Sequence, residues 1–171
     1  MSKHRGFTLA EFMITLAIAA IFIALAIPGY YSLIQNNKAV SAVNKLSASL
    51  NYARMEAIKR GVRISVCAAA NSSLTSCGNA NQWSQGWIVF IDTDNDNVVD
   101  GNSDLVKVNE ALPTGATITT AAGIVSYDSS GFVSSGATTM TVRAAGCTGN
   151  NARQLAIAAS GRVSISNVAC N

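Results

Sequence analysis

The amino-acid sequence predicts an α+β fold, in which one long N-terminal α-helix packs on antiparallel β-structure. Two observations predict this fold. Apolar residues recur at helical spacing as far as Arg60, and beyond Gly61 the pattern changes to an alternation rich in β-branched residues. Short turn clusters separate the later segments, and the sequence has no second long helical pattern. Short connections favour antiparallel pairing of the strands.

The chain begins with a short basic leader, residues 1–6, followed by an apolar run. Lys3 and Arg5 lie in the leader, and no charged residue occurs between Phe12 and Asn37. Residues 7–28 are close to the length of about 20 residues that a helix needs to cross a bilayer. Basic residues before such a run place the leader on the cytoplasmic side. We therefore predict that residues 7–28 form a single transmembrane segment.

One carboxylate, Glu11, lies inside the apolar run. An ionised carboxylate in an apolar environment costs a few kcal/mol or more, so it requires a partner. Cleavage of the chain after Gly6 would supply one, because the new α-amine of Phe7 lies one helical turn away or in a neighbouring subunit. The alternative is a plain signal anchor that tolerates a glutamate near its end.

The string Gly6-Phe7-Thr8-Leu9-Ala10-Glu11 resembles the class III signal of type IV pilins and type II secretion pseudopilins. The resemblance implies that prepilin peptidase cuts after Gly6 and N-methylates Phe7, and that Glu11 neutralises the amine of an adjacent subunit. It also implies insertion in the bacterial inner membrane with the globular domain in the periplasm. The inner-membrane assembly platform would then add the chain to a pilus or pseudopilus. Ala10 departs from the family, which usually has a larger aliphatic residue there.

The helix is predicted to continue beyond the apolar run, as an amphipathic extension over residues 29–61. Pro28 is expected to cause a kink or local unwinding, because proline removes a helical hydrogen bond and clashes with the preceding turn. From residue 38 to 60 the apolar residues return at spacings of three and four. A stripe of alanines and serines suits close contact with a sheet better than a free coiled coil. One helix is therefore expected over about residues 7–60.

The globular domain is predicted at residues 62–171. We expect strands at about residues 62–68, 86–92, 105–109, 117–120, 124–127, 138–143, 153–158 and 162–167. Trp87 and Phe90 are expected to fill the core where the sheet meets the helix.

Three strings resemble those of the FimT/FimU minor pilins, which share a domain family with pseudopilin H of type II secretion. They are Tyr52–Arg60 with its Ala-Arg-x-Glu-Ala pattern, Val66-Cys67, and Trp83-x-x-Gly86-Trp87-Ile88-Val89-Phe90-x-Asp92. The resemblance covers nearly the whole chain.

Four cysteines, an even number, accompany this export-type N-terminus and indicate disulfides in an oxidising compartment. Sequence allows three pairings, and proximity favours Cys67–Cys77 and Cys147–Cys170. A metal site is disfavoured, because there is no CxxC spacing and the one histidine is in the leader.

Alternating acids between residues 92 and 100 are typical of calcium loops. The candidate ligands are Asp92, Asp94, Asp96 and Asp100. However, Asn97 stands where an EF-hand needs glycine, and Ser103 stands where the bidentate glutamate belongs. The alternatives are a calcium site and a polar hairpin loop, and these departures favour the loop. The chain is therefore expected to need no cofactor.

From Ser129 to the C-terminus there are three arginines and no acid. Arg143, Arg153 and Arg162 are candidate phosphate contacts for weak DNA binding. The DNA-uptake pilins of the FimT type have a Gly-Arg-x-Arg string, of which this chain matches only Gly161-Arg162. No aromatic residue lies among the arginines to stack bases, so ordinary solvated arginines are the preferred interpretation.

The sequence offers little for catalysis, because cleavage would remove the only histidine and no nucleophile has an evident base. The resemblance instead implies a structural subunit, a minor pilin that initiates a type IV pilus at its tip together with other major and minor pilins. Two alternatives are the minor pseudopilin H of type II secretion and a DNA-binding pilin for natural transformation. An uncleaved, membrane-anchored binding domain is a further alternative.

Overall fold

A computed structural model describes residues 8–170, with the backbone alone at residues 26–29, 31 and 32. The chain divides into two compact units, Met1–Ile34 and Gln35–Asn171. Helix α1, Leu9–Arg60, passes through both units and contains 52 residues. Gly6 and Phe7, where cleavage and methylation are predicted, lie outside the described residues.

In the first unit, α1 exposes its side chains throughout residues 9–25. The exposed large apolar residues include Leu9, Phe12, Met13, Ile14, Leu16, Ile18, Ile21, Phe22, Ile23 and Leu25. Within the described residues, the structure contains no helix that is sufficiently long and apolar to span a membrane. The assignment of residues 7–28 to a transmembrane segment stays a prediction.

The helix is continuous through Pro28, since the residues on both sides of it are helical. Local unwinding, one of the two outcomes expected there, is therefore absent. A proline removes a single hydrogen bond from the helix, and the bonds of the neighbouring turns can hold the helix together. A kink at this position stays a prediction.

The second unit contains two antiparallel sheets of four strands each. The first sheet has the order β3-β2-β1-β5, and the second has the order β4-β6-β7-β8. The strands are β1 Ile64–Ala68, β2 Gly86–Ile91, β3 Leu105–Glu110, β4 Ala116–Thr120, β5 Ile124–Tyr127, β6 Thr138–Ala144, β7 Ala152–Ile157 and β8 Val163–Val168. All eight lie where the alternating pattern predicted them, within two residues. A short 3₁₀-helix, Trp83–Gln85, precedes β2 and was not predicted.

The main core lies between the C-terminal half of α1 and the inner faces of both sheets. Small residues on the helix allow the close approach, and the core residues of α1 are Ala42, Val43, Leu46, Leu50, Ala53 and Ala57. Trp87 belongs to this core, as predicted. Phe90 is equally buried but packs on the opposite face of β2, against Cys67, so its predicted position at the helix was wrong. Residues three apart on a strand point to opposite faces.

Arg54, within the Ala-Arg-x-Glu-Ala string, links the helix to loops of both sheets. Its Nε–H donates a hydrogen bond of 3.0 Å to the carbonyl of Gly131, which follows β5 of the first sheet. Gly161, in the hairpin between β7 and β8, packs against the same carbonyl and against the Arg54 side chain. The Val133 N–H also donates to the Ala159 carbonyl at 2.8 Å. This string therefore has a structural role at the junction of three elements.

Replacement of Gly161 with alanine is expected to destabilise the fold more than replacement of Gly136. Both glycines have positive φ, +79° and +84°, so both variants incur a similar backbone cost. A Cβ at Gly161 would overlap the Gly131 carbonyl and Arg54, whereas nothing lies within 4 Å of a Cβ at Gly136. We expect Gly161→Ala to lose about 1–3 kcal/mol more, as overpacked sites do. Denaturant unfolding of the full chain measures the difference, and equal losses would contradict the contact.

Tyr127 is fully buried in the main core, and its hydroxyl has no hydrogen-bond partner among the described residues. Burial raises the pKa of Tyr127 to about 12, although nearby Arg54 acts in the opposite direction. An unfolded tyrosine ionises near pH 10, so the unfolded chain releases its proton first. The contribution of Tyr127 to stability is therefore complete below pH 10 and lost as the pH rises through 12.

The Tyr127→Phe variant separates this titration from that of other groups. At pH 8 we expect its free energy of unfolding to lie within about 1 kcal/mol of the wild type, since the lost hydroxyl is unpaired. Between pH 9 and pH 12 the wild type should lose about 2–3 kcal/mol more than the variant. Parallel pH profiles for the two proteins would show that Tyr127 does not titrate in this range.

Candidate functional sites

The first site is the N-terminus of α1, where Thr8 and Glu11 bind each other. The Glu11 N–H donates to Thr8 Oγ1 at 3.2 Å. In return, the N–H and the hydroxyl of Thr8 both donate to Glu11 Oε2, each at 3.3 Å. This reciprocal pair is a capping box, which satisfies donors that the first turn of a helix leaves free.

The capping box gives the Glu11 carboxylate hydrogen-bond partners within its own chain. The described part of the helix offers this carboxylate no basic partner, but Thr8 supplies a local hydrogen-bond partner. The Thr-x-x-Glu spacing is the signal that could have revealed it. A carboxylate here also meets the partial positive charge of the helix N-terminus. Both side chains are exposed, so the Glu11 carboxylate also lies open to a neighbouring molecule.

The second site is the acidic loop, residues 92–100. The carboxylates of Asp92, Asp94 and Asp96 lie within 4.8 Å of one another, and only Asp92 is buried. Asp92 Oδ2 accepts a hydrogen bond of 2.8 Å from the Ser65 hydroxyl. The same oxygen lies 3.1 Å from Arg63 Nε. Asp100 stands outside the cluster of three, but Asp94 and then Asp96 raise its pKa.

Arg63 supplies a protein cation to this loop. Its guanidinium donates to Asn95 Oδ1 at 3.0 Å and to Asn97 Oδ1 at 2.6 Å. It also donates to the Ser126 hydroxyl at 3.0 Å. Both asparagines have positive φ, +66° and +65°, a conformation that asparagine tolerates better than most residues. A calcium ion would have to compete with this guanidinium for Asp92. The role of Arg63 was not predicted, because the arginine lies about 30 residues from its partners in the sequence.

The three C-terminal arginines do not form one surface. Arg143 lies between the buried Val142 and Ala144 on β6, so it faces away from the core. Arg153 lies on the inner face with Leu155 and donates to Asn36 Oδ1 of α1 at 3.0 Å. Arg162 is exposed in the hairpin before β8. The structure therefore separates the residues proposed to contact DNA.

Both disulfides that proximity favours are present in the structure. Cys67–Cys77 ties a loop to β1, and Cys147–Cys170 ties the segment after β6 to the residues after β8. The Cys170 N–H also donates to the Gly149 carbonyl at 2.9 Å. These contacts fix the end of the described chain.

Two family models match parts of this chain. Residues 1–27 match the prokaryotic N-terminal methylation motif. Residues 42–161 match the type II transport protein GspH, so the chain belongs to the GspH family. A sequence comparison with curated proteins finds no match.

Two solved structures share the fold. The type IV minor pilin FimU of Pseudomonas aeruginosa aligns with a TM-score of 0.60 at 19% identity, over 76% of this chain and 89% of that chain. The minor pseudopilin EpsH of the Vibrio cholerae type 2 secretion system aligns with a TM-score of 0.55 at 14% identity, over 76% and 97%. The predicted α+β, pilin-like fold is confirmed. The chain is a structural protein of the minor pilin and pseudopilin type, not an enzyme.

Proposed function

We propose that this chain is a minor pilin that primes assembly of a type IV pilus at its tip. In this proposal, prepilin peptidase removes residues 1–6 and methylates Phe7. The chain is held in the bacterial inner membrane with its globular domain in the periplasm, until the assembly platform transfers it to the filament. There it packs against other major and minor pilins.

The observation that carries the proposal is the exposed apolar surface of α1 between Leu9 and Leu25. Phe22 and Leu25 expose 69% and 73% of their surfaces. Between Leu9 and Leu25 the sequence has only two polar residues, Glu11 and Thr15, so this part of the helix has no polar stripe. A surface of this kind requires lipid or other apolar helices around it. A filament in which such helices pack together supplies that cover, and the methylation motif supports the route to it.

The minor pseudopilin H of type II secretion is the second candidate function. The GspH match over residues 42–161 and the likeness to EpsH favour it. The FimT/FimU-like strings around Arg54 and Trp87 favour the pilus. No observation favours a DNA-uptake role, because Arg143, Arg153 and Arg162 lie on different parts of the domain.

A deletion strain tests the proposal directly. We expect deletion of the gene to abolish surface pili and twitching while leaving protein secretion intact. The wild-type gene should restore pili and twitching. Loss of secretion with normal pili would assign the chain to the secretion machine instead. A strain that retains both pili and secretion would refute the proposed class of function.

A further inference from the structure

The two sheets have four free edges, and three of them are protected. The β3 edge carries charges at Lys107 and Glu110 and a register shift in its pairing with β2. The β4 edge is covered by Ser84, whose hydroxyl accepts the Ile118 N–H at 2.9 Å. At the β5 edge, the Ser134 N–H donates to the Ser126 carbonyl at 2.9 Å. Charges, bulges and covering loops are the usual means of preventing strand addition.

The fourth edge, β8, has none of these protections. Its sequence is Val-Ser-Ile-Ser-Asn-Val, without charge or proline, and it pairs with β7 over six consecutive residue pairs without a register shift. Ser164, Ile165, Ser166 and Asn167 are all exposed. A regular, uncharged edge strand of this composition is a template for further strand pairing.

The register shows which backbone groups are free. The Ala158 N–H donates to the Arg162 carbonyl, so this pair is hydrogen-bonded. Hydrogen-bonded and non-bonded pairs alternate along an antiparallel ladder, so Ser164 and Ser166 bond to β7. Val163, Ile165 and Asn167 therefore turn their N–H and carbonyl groups away from β7. Among the described residues these groups have no hydrogen-bond partner.

The edge is also held in place at both ends. The hairpin that packs against Arg54 precedes β8, and the Cys147–Cys170 disulfide follows it. A fixed strand pairs with an incoming chain at a lower entropic cost than a mobile one. Arg162 is exposed beside the first residue of β8, and residues 129–170 contain no acid. Charge complementarity therefore favours a carboxylate in the segment that pairs there.

We propose that β8 accepts an extended segment from a neighbouring subunit of the filament, which adds as a fifth strand to the second sheet. The segment is uncharged along its length and carries an acidic residue at the end that meets Arg162. Backbone hydrogen bonds at Val163, Ile165 and Asn167 provide the pairing. This inference rests on the proposed function, since it names the contact through which the chain joins its filament.

The test uses the full chain in detergent micelles. The other full-length pilin-like subunits of the host are purified, and each is mixed separately with this chain. Residue-resolved amide hydrogen exchange is recorded with and without each subunit. We expect one subunit to slow exchange about tenfold or more at Val163, Ile165 and Asn167. Ser164 and Ser166 should already exchange slowly in the free chain, because β7 protects them.

Two matched pairs of variants separate backbone pairing from other effects. Ile165→Pro removes an outward N–H without breaking the β7 ladder, and we expect it to weaken binding about tenfold or more. Ile165→Thr keeps that N–H and should bind nearly as well. Arg162→Glu should weaken binding, whereas Arg143→Glu, with the same change of charge on the outer face, should not. Melting temperatures of the unbound variants verify that each is folded.

Several outcomes would overturn the inference. The first is a complex that leaves the three outward amides unprotected, and the second is the failure of every subunit to bind. The third is slower exchange of these amides when the concentration of this chain alone is raised, which would identify a second copy as the occupant. The deletion phenotype distinguishes failure of the strand-addition inference from failure of the proposed function. Loss of pili in the deletion strain without protection at β8 would refute only the strand addition.

Discussion

Replacement of Glu11 with alanine is expected to leave cleavage after Gly6 largely intact and to reduce incorporation of the chain into filaments by about 100-fold. A factor of 100 corresponds to about 2.8 kcal/mol, which is the scale of a charge left without its partner in an apolar environment. Cleavage should survive because the processing site precedes the residue. Immunoblots of membrane and sheared-filament fractions measure processing and incorporation separately.

The capping box provides the control for this experiment. Glutamine at the same helix position can still accept from the Thr8 N–H, so Glu11→Gln keeps the cap but removes the charge. If Glu11 pairs with the α-amine of an adjacent subunit, Glu11→Gln should fail in assembly as Glu11→Ala does. Normal incorporation of Glu11→Gln would show that Glu11 acts only as a helix cap.

Replacement of Asp92 with alanine is expected to cost about 3 kcal/mol of unfolding free energy. Asp92 is fully buried, and its loss leaves Arg63, whose side chain is only 20% exposed, without its counter-charge. Removing one partner of such a pair is strongly destabilising. The neighbouring Asp94 is exposed, so Asp94→Ala should stay within about 0.5 kcal/mol of the wild type. Denaturant unfolding of both variants compares them, and equal stabilities would show that the Arg63 pair contributes nothing.

The same loop gives a test for calcium. Because Arg63 already pairs with Asp92, we expect millimolar calcium to leave the melting temperature of the wild type unchanged. An increase in melting temperature that disappears in Asp94→Ala would instead identify the loop as a calcium site.

Local patterns were sufficient to predict the elements of the fold. The apolar stripe from Ala39 to Ala57 predicted the helix face that the sheets cover, because helical spacing places those residues on one side. Alternation, β-branched residues and bounding turn residues together predicted all eight strands. Alternation alone would not have sufficed, because β1 and β2 are buried on both faces. The division into two sheets could not be predicted, because strand order depends on pairing between residues distant in sequence.

The candidate sites likewise divide into those that a local sequence pattern reveals and those that depend on residues distant in sequence. The Thr8–Glu11 cap is local, and its spacing could have been recognised in the sequence. The Arg63 network could not be recognised, since the arginine lies just before β1, about 30 residues along the chain from Asn95 and Asn97. The arginine prediction rested on composition alone, and composition does not say that Arg153 faces the helix while Arg143 faces away from it.

The central claim is that the chain is processed at Gly6–Phe7 and then polymerises through its helix. Mass spectrometry of the protein purified from its native host tests this most directly. We expect a mature chain that lacks residues 1–6 and begins with N-methylated Phe7. An intact chain that begins at Met1 would contradict the claim.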